Sequence, residues 1–136
     1  MTLELLQADF DALVRRARAE LPNEACGLLA GSLKDDEAKI HKLYNLTNMD
    51  HSPAHFSMDP REQLEAVKDM RQRGLQLLAN WHSHPGTPAR PSPEDIRLAL
   101  DPKLRYLILS LETEAPVLKA FRIVGGAAEE EPLHII

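Results

Sequence analysis

The chain of 136 residues contains one cysteine, lacks a long apolar run and carries no excess of basic residues. A single cysteine excludes an internal disulfide framework. No apolar run is long enough to span a bilayer, and the first residues lack the basic and apolar regions of a secretory signal. The formal net charge of −5, without any cluster of Lys and Arg, gives no indication of nucleic-acid binding. These absences predict a cytoplasmic protein without membrane or nucleic-acid partners.

The length suits one domain around one core, and we expect residues 1–136 to form it. Apolar residues recur with helical spacing over 9–21 and 60–73. Residues 129–131 are acidic and predict an exposed approach to the last strand. Shorter apolar runs predict strands over 2–6, 26–33, 38–47, 54–58, 75–81, 106–111, 117–124 and 133–136. This order of elements predicts a mixed α/β sandwich.

The densest group of polar residues lies in the segment 80–95. His82 and His84 follow a predicted strand, and residues two apart on a strand point to the same side. The prolines and the glycine after them exclude regular structure, so the chain must turn back. Ser92 suits an N-cap and Pro93 the first turn of a short helix over 93–100. Asp95 then lies in that first turn and faces the end of the strand.

Two imidazoles and one carboxylate make a three-ligand metal site with a fourth position for water, which is the pattern of catalytic zinc. Each residue also has a plainer interpretation. A His-x-His pair is more often two ordinary strand residues, and an aspartate after Ser-Pro more often interacts with the helix dipole. Their combination at a strand end, across a loop rich in turn residues, favours a metal site.

The spacing in this segment resembles the signature of the JAMM (MPN-plus) metalloprotease family. His-Ser-His-Pro begins at His82, Ser92 follows after six further residues, and Asp95 comes after two more. The family's upstream stretch, Pro-x-Glu-x-Cys-Gly-Leu-Leu-x-Gly, is matched by residues 22–31, with Glu24 as its glutamate. The resemblance extends over most of the chain. It implies the JAMM/MPN fold, which is related to cytidine deaminases and consists of a mixed curved sheet flanked by helices.

The resemblance also implies a role for each matched residue. His82, His84 and Asp95 would bind one Zn²⁺ per chain. Glu24 on its own reads as a surface carboxylate in a turn, but in the family it acts as a general base toward water and then as an acid toward the leaving amine. Ser92 would donate a hydrogen bond to the oxyanion that forms during hydrolysis, in addition to capping the helix.

The substrate expectation comes from the same resemblance. Eukaryotic members cut after the C-terminal Gly-Gly of ubiquitin and carry insertions, whereas this short chain looks like the compact prokaryotic members, several of which act beside ubiquitin-like sulfur-carrier proteins. We therefore expect a zinc metallopeptidase or isopeptidase that cuts an amide bond after the Gly-Gly end of such a carrier. A general small-peptide metallopeptidase is the alternative, and a non-catalytic zinc-binding interaction module is a further one. Zinc deaminases use a Pro-Cys-x-x-Cys motif, which one cysteine excludes. The sequence leaves the oligomeric state open.

Overall fold

The computed structural model describes residues 1–136 and contains three helices and eight strands. The helices are α1 (Gln7–Glu20), α2 (Pro60–Gln72) and α3 (Pro93–Leu98). The strands are β1 (Thr2–Leu5), β2 (Cys26–Lys34), β3 (Glu37–Leu46), β4 (Gln76–His84), β5 (Arg105–Ser110), β6 (Val117–Val124), β7 (Ala127–Glu131) and β8 (Leu133–Ile135). None of the three helices has the length and apolar character that a bilayer crossing requires.

All eight strands form one mixed sheet in the order β7-β6-β5-β4-β2-β3-β1-β8. The pairs β4–β5, β1–β3 and β1–β8 are parallel, and the other pairs are antiparallel. The two edge strands β7 and β8 follow each other directly, separated only by Pro132. Because one residue spans less than about 4 Å of chain, the two edges of the sheet must approach each other. The sheet is therefore curved and nearly closed, and the mixed α/β class predicted from the sequence is confirmed.

The alternation of side chains along β2 and β4 divides the core between the two faces of the sheet. Leu29 and Trp81 are buried on one face with Leu13 and Ala17 of α1. The opposite face of β2 packs against Ala66 and Met70 of α2. On β4 that opposite face carries Asn80, His82 and His84. The pleat thus sends Trp81 into the core and delivers the histidines to the side covered by α2 and α3.

Local capping signals explain where α2 and α3 begin. The Asp59 side chain accepts a hydrogen bond from the Arg61 backbone N–H, and Pro60 occupies the first turn of α2. Ser92 and Pro93 have the same roles in α3, which is only six residues long. These features fix both helix starts at the predicted positions, although α3 ends two residues earlier than expected.

Two expectations about strands were wrong. Residues 54–58 form no strand; Met58 makes only an isolated bridge with Asn48, because the segment is held by side-chain hydrogen bonds instead of a ladder. Residues 127–131 form β7, where the acidic sequence suggested an exposed approach to the last strand. Gly125 and Gly126 have φ values of 60° and 77°, the left-handed pair of a tight hairpin turn, and they fold β7 back onto β6.

Candidate metal centre and active site

The last residues of β4 carry the two histidines, and both side chains are buried. His82 is 2% exposed and His84 is 5% exposed. The neighbouring strands β2 and β5 pair with β4 on both sides, so hydrogen bonds fix its backbone in both directions. A strand in the middle of a sheet therefore sets the position of both rings, which is a more rigid support than a loop.

Asp95 reaches the histidines because the start of α3 is a complete capping box. The Ser92 hydroxyl accepts a hydrogen bond from the Asp95 backbone N–H at 3.0 Å, and the Ser92 N–H donates to Asp95 Oδ2 at 2.9 Å. The same Oδ2 lies 3.2 Å from Nε2 of His82 and 3.2 Å from Nε2 of His84. One carboxylate oxygen thus joins the capping of α3 to the end of β4.

The three side chains present their ligand atoms to a common point. The two Nε2 atoms are 3.1 Å apart, and all three ligand atoms lie within 4.8 Å of one another. Zinc–nitrogen distances of 2.0–2.1 Å place tetrahedral ligands about 3.3 Å apart. The spacings of 3.1 and 3.2 Å between the ligand atoms of His82, His84 and Asp95 therefore fit one triangular face of such a tetrahedron. The donor set of two imidazoles and a carboxylate also suits zinc.

The tautomer of His84 is fixed by the backbone. Its Nδ1 lies 2.9 Å from the Pro88 carbonyl oxygen, and because a carbonyl only accepts, Nδ1 carries the proton. Nε2 is then free to offer a lone pair to a metal ion. His82 is oriented differently, since Phe56 stacks on its ring at a centroid distance of 4.6 Å.

The pKa values of His82, His84 and Asp95 are shifted in different directions. Burial lowers the pKa of His82. Burial also acts against a charge on His84 and Asp95, but hydrogen bonds between them outweigh it, so the pKa of His84 is raised and that of Asp95 is lowered. Asp95 is therefore an anion at neutral pH. A metal cation bound between the three ligand atoms would take the place of the protons that can bind to the ring nitrogens there.

Glu24 lies beside this group but outside it. The residue is 5% exposed, and burial raises the pKa of its carboxyl to about 7, a rise that the charge of His84 opposes and that of Asp95 supports. Glu24 precedes β2, and its backbone N–H donates to the Ser52 carbonyl oxygen at 2.8 Å. A carboxyl group with this pKa can exchange a proton in either direction near neutral pH.

Ser83, between the two histidines, connects Glu24 to β4. Its hydroxyl accepts the Ala25 backbone N–H at 2.7 Å, and its own N–H donates to the Ala25 carbonyl oxygen at 3.0 Å. Ser83 is completely buried. Its side chain points away from the metal group, because alternate residues of a strand face opposite sides, and it holds the residue next to Glu24 in register with the histidines.

Asn48 fixes the loop that covers the site. Its side-chain amide donates to the carbonyl oxygens of Glu24 and His55, both at 3.0 Å. Its side-chain oxygen accepts from the backbone N–H groups of Asp50 and Ser57. The residue is buried; one of these four bonds ties it to the segment that carries Glu24, and the other three hold the loop 48–58 onto its side chain.

A cavity of about 450 Å³ opens beside His82 and Asp95. The ion pair between His55 Nδ1 and Glu94 Oε1, at 2.7 Å, crosses from the loop 48–58 to α3 and forms part of its wall. The cavity is also lined by Phe56, Met58, Gln63, Asn80, Leu98 and Tyr106. Another cavity, of about 570 Å³, lies at the opposite end of β4 and contains no group of metal ligands.

The sequence prediction included Glu24, His82, His84, Ser92 and Asp95, and the structure places all five in this region. Ser92 is observed as an N-cap, and its hydroxyl proton remains free to donate. Sequence reasoning missed the supporting residues Ser83, Asn48 and Phe56. No short-range pattern could identify them, although a polar residue between two candidate metal ligands is a weak indication that Ser83 has a supporting role.

Comparison with known proteins defines the class. The family of prokaryotic homologues of the JAB domain matches residues 6–124. The chain belongs to this family, which confirms the JAMM resemblance and, with it, the JAMM/MPN fold. Members of the family generally depend on zinc, and the His-His-Asp group could hold such an ion.

Three individual proteins show how close the relationship is. A CysO-cysteine peptidase of Mycobacterium tuberculosis is 35% identical over 134 residues, which are 97% of this chain and 90% of the relative. A desampylase of Pyrococcus furiosus is 36% identical over 73 residues, 54% of this chain and 49% of the relative. The solution structure of a Desulfitobacterium hafniense protein has a TM-score of 0.91 and 50% identity, and the match covers 100% of this chain and 93% of that one. The chain is accordingly a hydrolase of the peptidase class.

Proposed function

We propose that this chain is a zinc metallopeptidase that hydrolyses the amide bond after the C-terminal Gly-Gly of a ubiquitin-like sulfur-carrier protein. It acts in the cytoplasm as one domain of residues 1–136, with one Zn²⁺ held by His82, His84 and Asp95. Glu24 is the general acid and base, and Ser92 donates a hydrogen bond to the oxyanion.

One observation carries this proposal: two imidazole nitrogens and one carboxylate oxygen lie 3.1–3.2 Å apart beside a buried glutamate. A structural zinc site is closed by four protein ligands, whereas this group offers three. A purely structural role does not account for Glu24 at this place, since its carboxyl group, with a pKa of about 7, makes no side-chain hydrogen bond or ion pair. The combination supports hydrolysis over a non-catalytic role.

The chemistry divides among the residues as follows. Zinc, when bound, supplies a Lewis acid and lowers the pKa of water toward about 7. Glu24 accepts a proton from the attacking water and later delivers it to the nitrogen of the leaving amine, so the carboxyl group ends in its starting state. The Ser92 hydroxyl accepts the Asp95 N–H while its own proton is directed to the developing oxyanion, a contribution of roughly 3–4 kcal/mol at comparable sites.

The burial of the site supports a glycine-rich substrate. His82, His84 and Glu24 are all at most 5% exposed, so the bond to be cut must reach a recessed point between the loop 48–58 and α3. Two glycines have no side chains and can enter a narrow passage in an extended conformation. The name of the mycobacterial relative, CysO-cysteine peptidase, supports a carrier with a residue attached to its end. The desampylase relative also supports a protein conjugate as substrate.

The test is a cleavage assay on a small ubiquitin-like sulfur carrier that has a cysteine or a short peptide after its Gly-Gly end. The protein is loaded with zinc, and mass spectrometry locates the cut. We expect release directly after the second glycine, loss of release with a chelator, and recovery on adding zinc. A carrier that ends in Ala-Ala is the matched substrate control and should stay intact. Equal cleavage of short peptides without a carrier would instead establish the general small-peptide peptidase.

Two variants distinguish the role of the general base from the role of the metal ligands. Glu24→Gln should keep stoichiometric zinc and lose cleavage, because glutamine cannot accept the water proton. His82→Ala should lose zinc, while His41→Ala, which removes an exposed histidine of β3, should retain both zinc and activity. Wild-type cleavage by Glu24→Gln would refute the assignment of the base. Stoichiometric zinc in His82→Ala would refute the ligand set.

A further inference from the structure

Two buried polar atoms on the same face of β4 have no hydrogen-bond partner. They are Oδ1 of Asn80 and Nδ1 of His82. The two residues are two positions apart on the strand, so their side chains point to the same side and their Cβ atoms lie about 6.6 Å apart. An unpaired buried polar atom costs about 1–3 kcal/mol, and a neighbouring pair of such atoms is therefore unusual.

The two atoms are chemically complementary. Nε2 of His82 points to the ligand atoms of His84 and Asp95, at 3.1 and 3.2 Å. If Nε2 offers its lone pair to a metal ion, the neutral ring must carry its proton on Nδ1. Nδ1 then needs an acceptor, and the amide oxygen of Asn80 is an acceptor without a donor.

The neighbouring strands offer neither atom another partner. His82 is flanked by Cys26 on β2 and Ile108 on β5, and the Cys26 thiol is directed to the Leu46 carbonyl oxygen at 3.8 Å. Phe56 covers a face of the His82 ring. On both sides of Asn80 lie Leu28 and Tyr106, and the Tyr106 hydroxyl donates to the Asp101 carbonyl oxygen.

We propose that Asn80 is a positioning residue for the metal site: its side-chain oxygen accepts the Nδ1 proton of His82 and holds that ring in the ligating tautomer. Asn80 also lines the cavity, and a rotation of its side chain would be needed to bring the oxygen to the ring nitrogen. This inference rests on the proposed metal site and adds a residue outside the ligand set. It gives His82 the support that His84 already has from the Pro88 carbonyl oxygen at 2.9 Å.

The expected consequence is on metal affinity. A ligating histidine almost always donates its other N–H to an oxygen, and loss of that partner weakens metal binding about 10- to 100-fold. Asn80→Leu removes the acceptor and keeps the same branched shape and number of side-chain heavy atoms, so it should weaken zinc binding by that factor. Asn80→Asp keeps an oxygen acceptor and should bind zinc close to the wild-type affinity. Gln63→Ala removes the other amide of the same cavity and should leave zinc affinity unchanged.

The experiment measures zinc dissociation constants by competition with a chromophoric chelator, for the wild type and these three variants of the full chain. Nitrogen-15 NMR of the zinc-loaded proteins gives a second readout, since the Nδ1 proton of His82 should resonate further downfield in the wild type than in Asn80→Leu. Equal zinc affinity of Asn80→Leu and the wild type would overturn the role of Asn80. Should Asn80→Leu not fold, an unchanged affinity of Asn80→Ala, or an Nδ1 of His82 that is unprotonated in the wild type, would overturn it as well.

Failure of the inference can be told apart from failure of the proposed function. If the wild-type chain binds zinc and cleaves the carrier while all Asn80 variants bind zinc equally, only the role of Asn80 is wrong. If the wild-type chain binds no zinc, the proposed function and this inference fail together.

Discussion

Replacement of Glu24 by glutamine should change how stability depends on pH, and the size of that change can be worked out from the burial of the carboxyl group. The pKa of Glu24 rises from 4.5 to about 7, with burial as the first cause. The folded protein therefore binds a proton that the unfolded chain has already released between these two pH values. The stability due to this group is present below pH 4.5 and is lost as the pH rises toward 7.

Each unit of pKa difference between the folded and the unfolded chain is worth about 1.36 kcal/mol. With pKa values of 4.5 and about 7, the wild type should lose about 2.5 kcal/mol between pH 5 and pH 8 that the variant does not lose. Glutamine has nearly the shape of a protonated glutamate, so Glu24→Gln should match the wild type near pH 5 and exceed its free energy of unfolding at pH 8. Comparing the two proteins cancels the contributions of the other titrating groups.

The assay is urea unfolding of both metal-free proteins at half-unit intervals from pH 5 to pH 8, with a chelator throughout. A wild-type minus variant difference that declines across this range and levels off above pH 7 is the expected result. A difference that stays constant within the experimental error would refute the reasoning, since Glu24 would then titrate alike in the folded and unfolded chains. A decline that is still continuing at full slope at pH 8 would show that the pKa of the folded carboxyl group lies well above 7, too high for a base at neutral pH.

Three further substitutions test how the site is supported, with Gly86→Ala as the common control because a Cβ there would contact nothing within 4 Å. Ser83→Ala leaves the buried Ala25 N–H without its acceptor, and chemical denaturation should show a loss of about 1–3 kcal/mol. Asn48→Ala removes the ties at both ends of the loop 48–58, and limited proteolysis should cut that loop faster than in the wild type. Gly27→Ala places a Cβ 2.2 Å from a backbone oxygen, and thermal unfolding should show destabilisation of about 3 kcal/mol or more. Wild-type behaviour in any of these assays would contradict the corresponding contact.

The metal group could be predicted from the sequence because short-range rules govern its geometry. Alternation along a strand places His82 and His84 on one side, and the sequence Ser-Pro-x-Asp specifies a helix start that turns Asp95 back. Proline and glycine between them force the return of the chain. Each of these signals acts over a few residues, so the sequence contains all the information that they require.

The position of Glu24 could not be derived in this way. It stands 58 residues before His82 and reaches the site only because β2 pairs with β4. No residue pattern near Glu24 predicts that pairing. The family motif supplied it instead. The hydrogen bond from Ala25 to Ser83 and the amide ties of Asn48 likewise join segments far apart in sequence.

The strand β7 was missed for a different reason. Residues 127–131 are mostly acidic, and strand propensity disfavours them. The left-handed pair Gly125–Gly126 and the partner strand β6 override that propensity, and Glu131 is tied to Arg105 and to the N-terminus. The apparent strand at 54–58 shows the converse, because its backbone groups bond to the Asn48 side chain before any ladder can form.

The site combines two kinds of support, and they suit two different tasks. The three candidate metal ligands come from a central strand and from a helix start fixed by reciprocal hydrogen bonds, so their geometry is established when the sheet folds, and a bound metal would have little ordering to impose. The passage to them is formed by the loop 48–58 and by the half-exposed pair His55–Glu94, which a substrate can displace at small cost because exposed ion pairs contribute about 0–1 kcal/mol. A rigid group of ligand atoms behind a weakly closed entrance would let the tail of the proposed carrier substrate enter without disturbing that group.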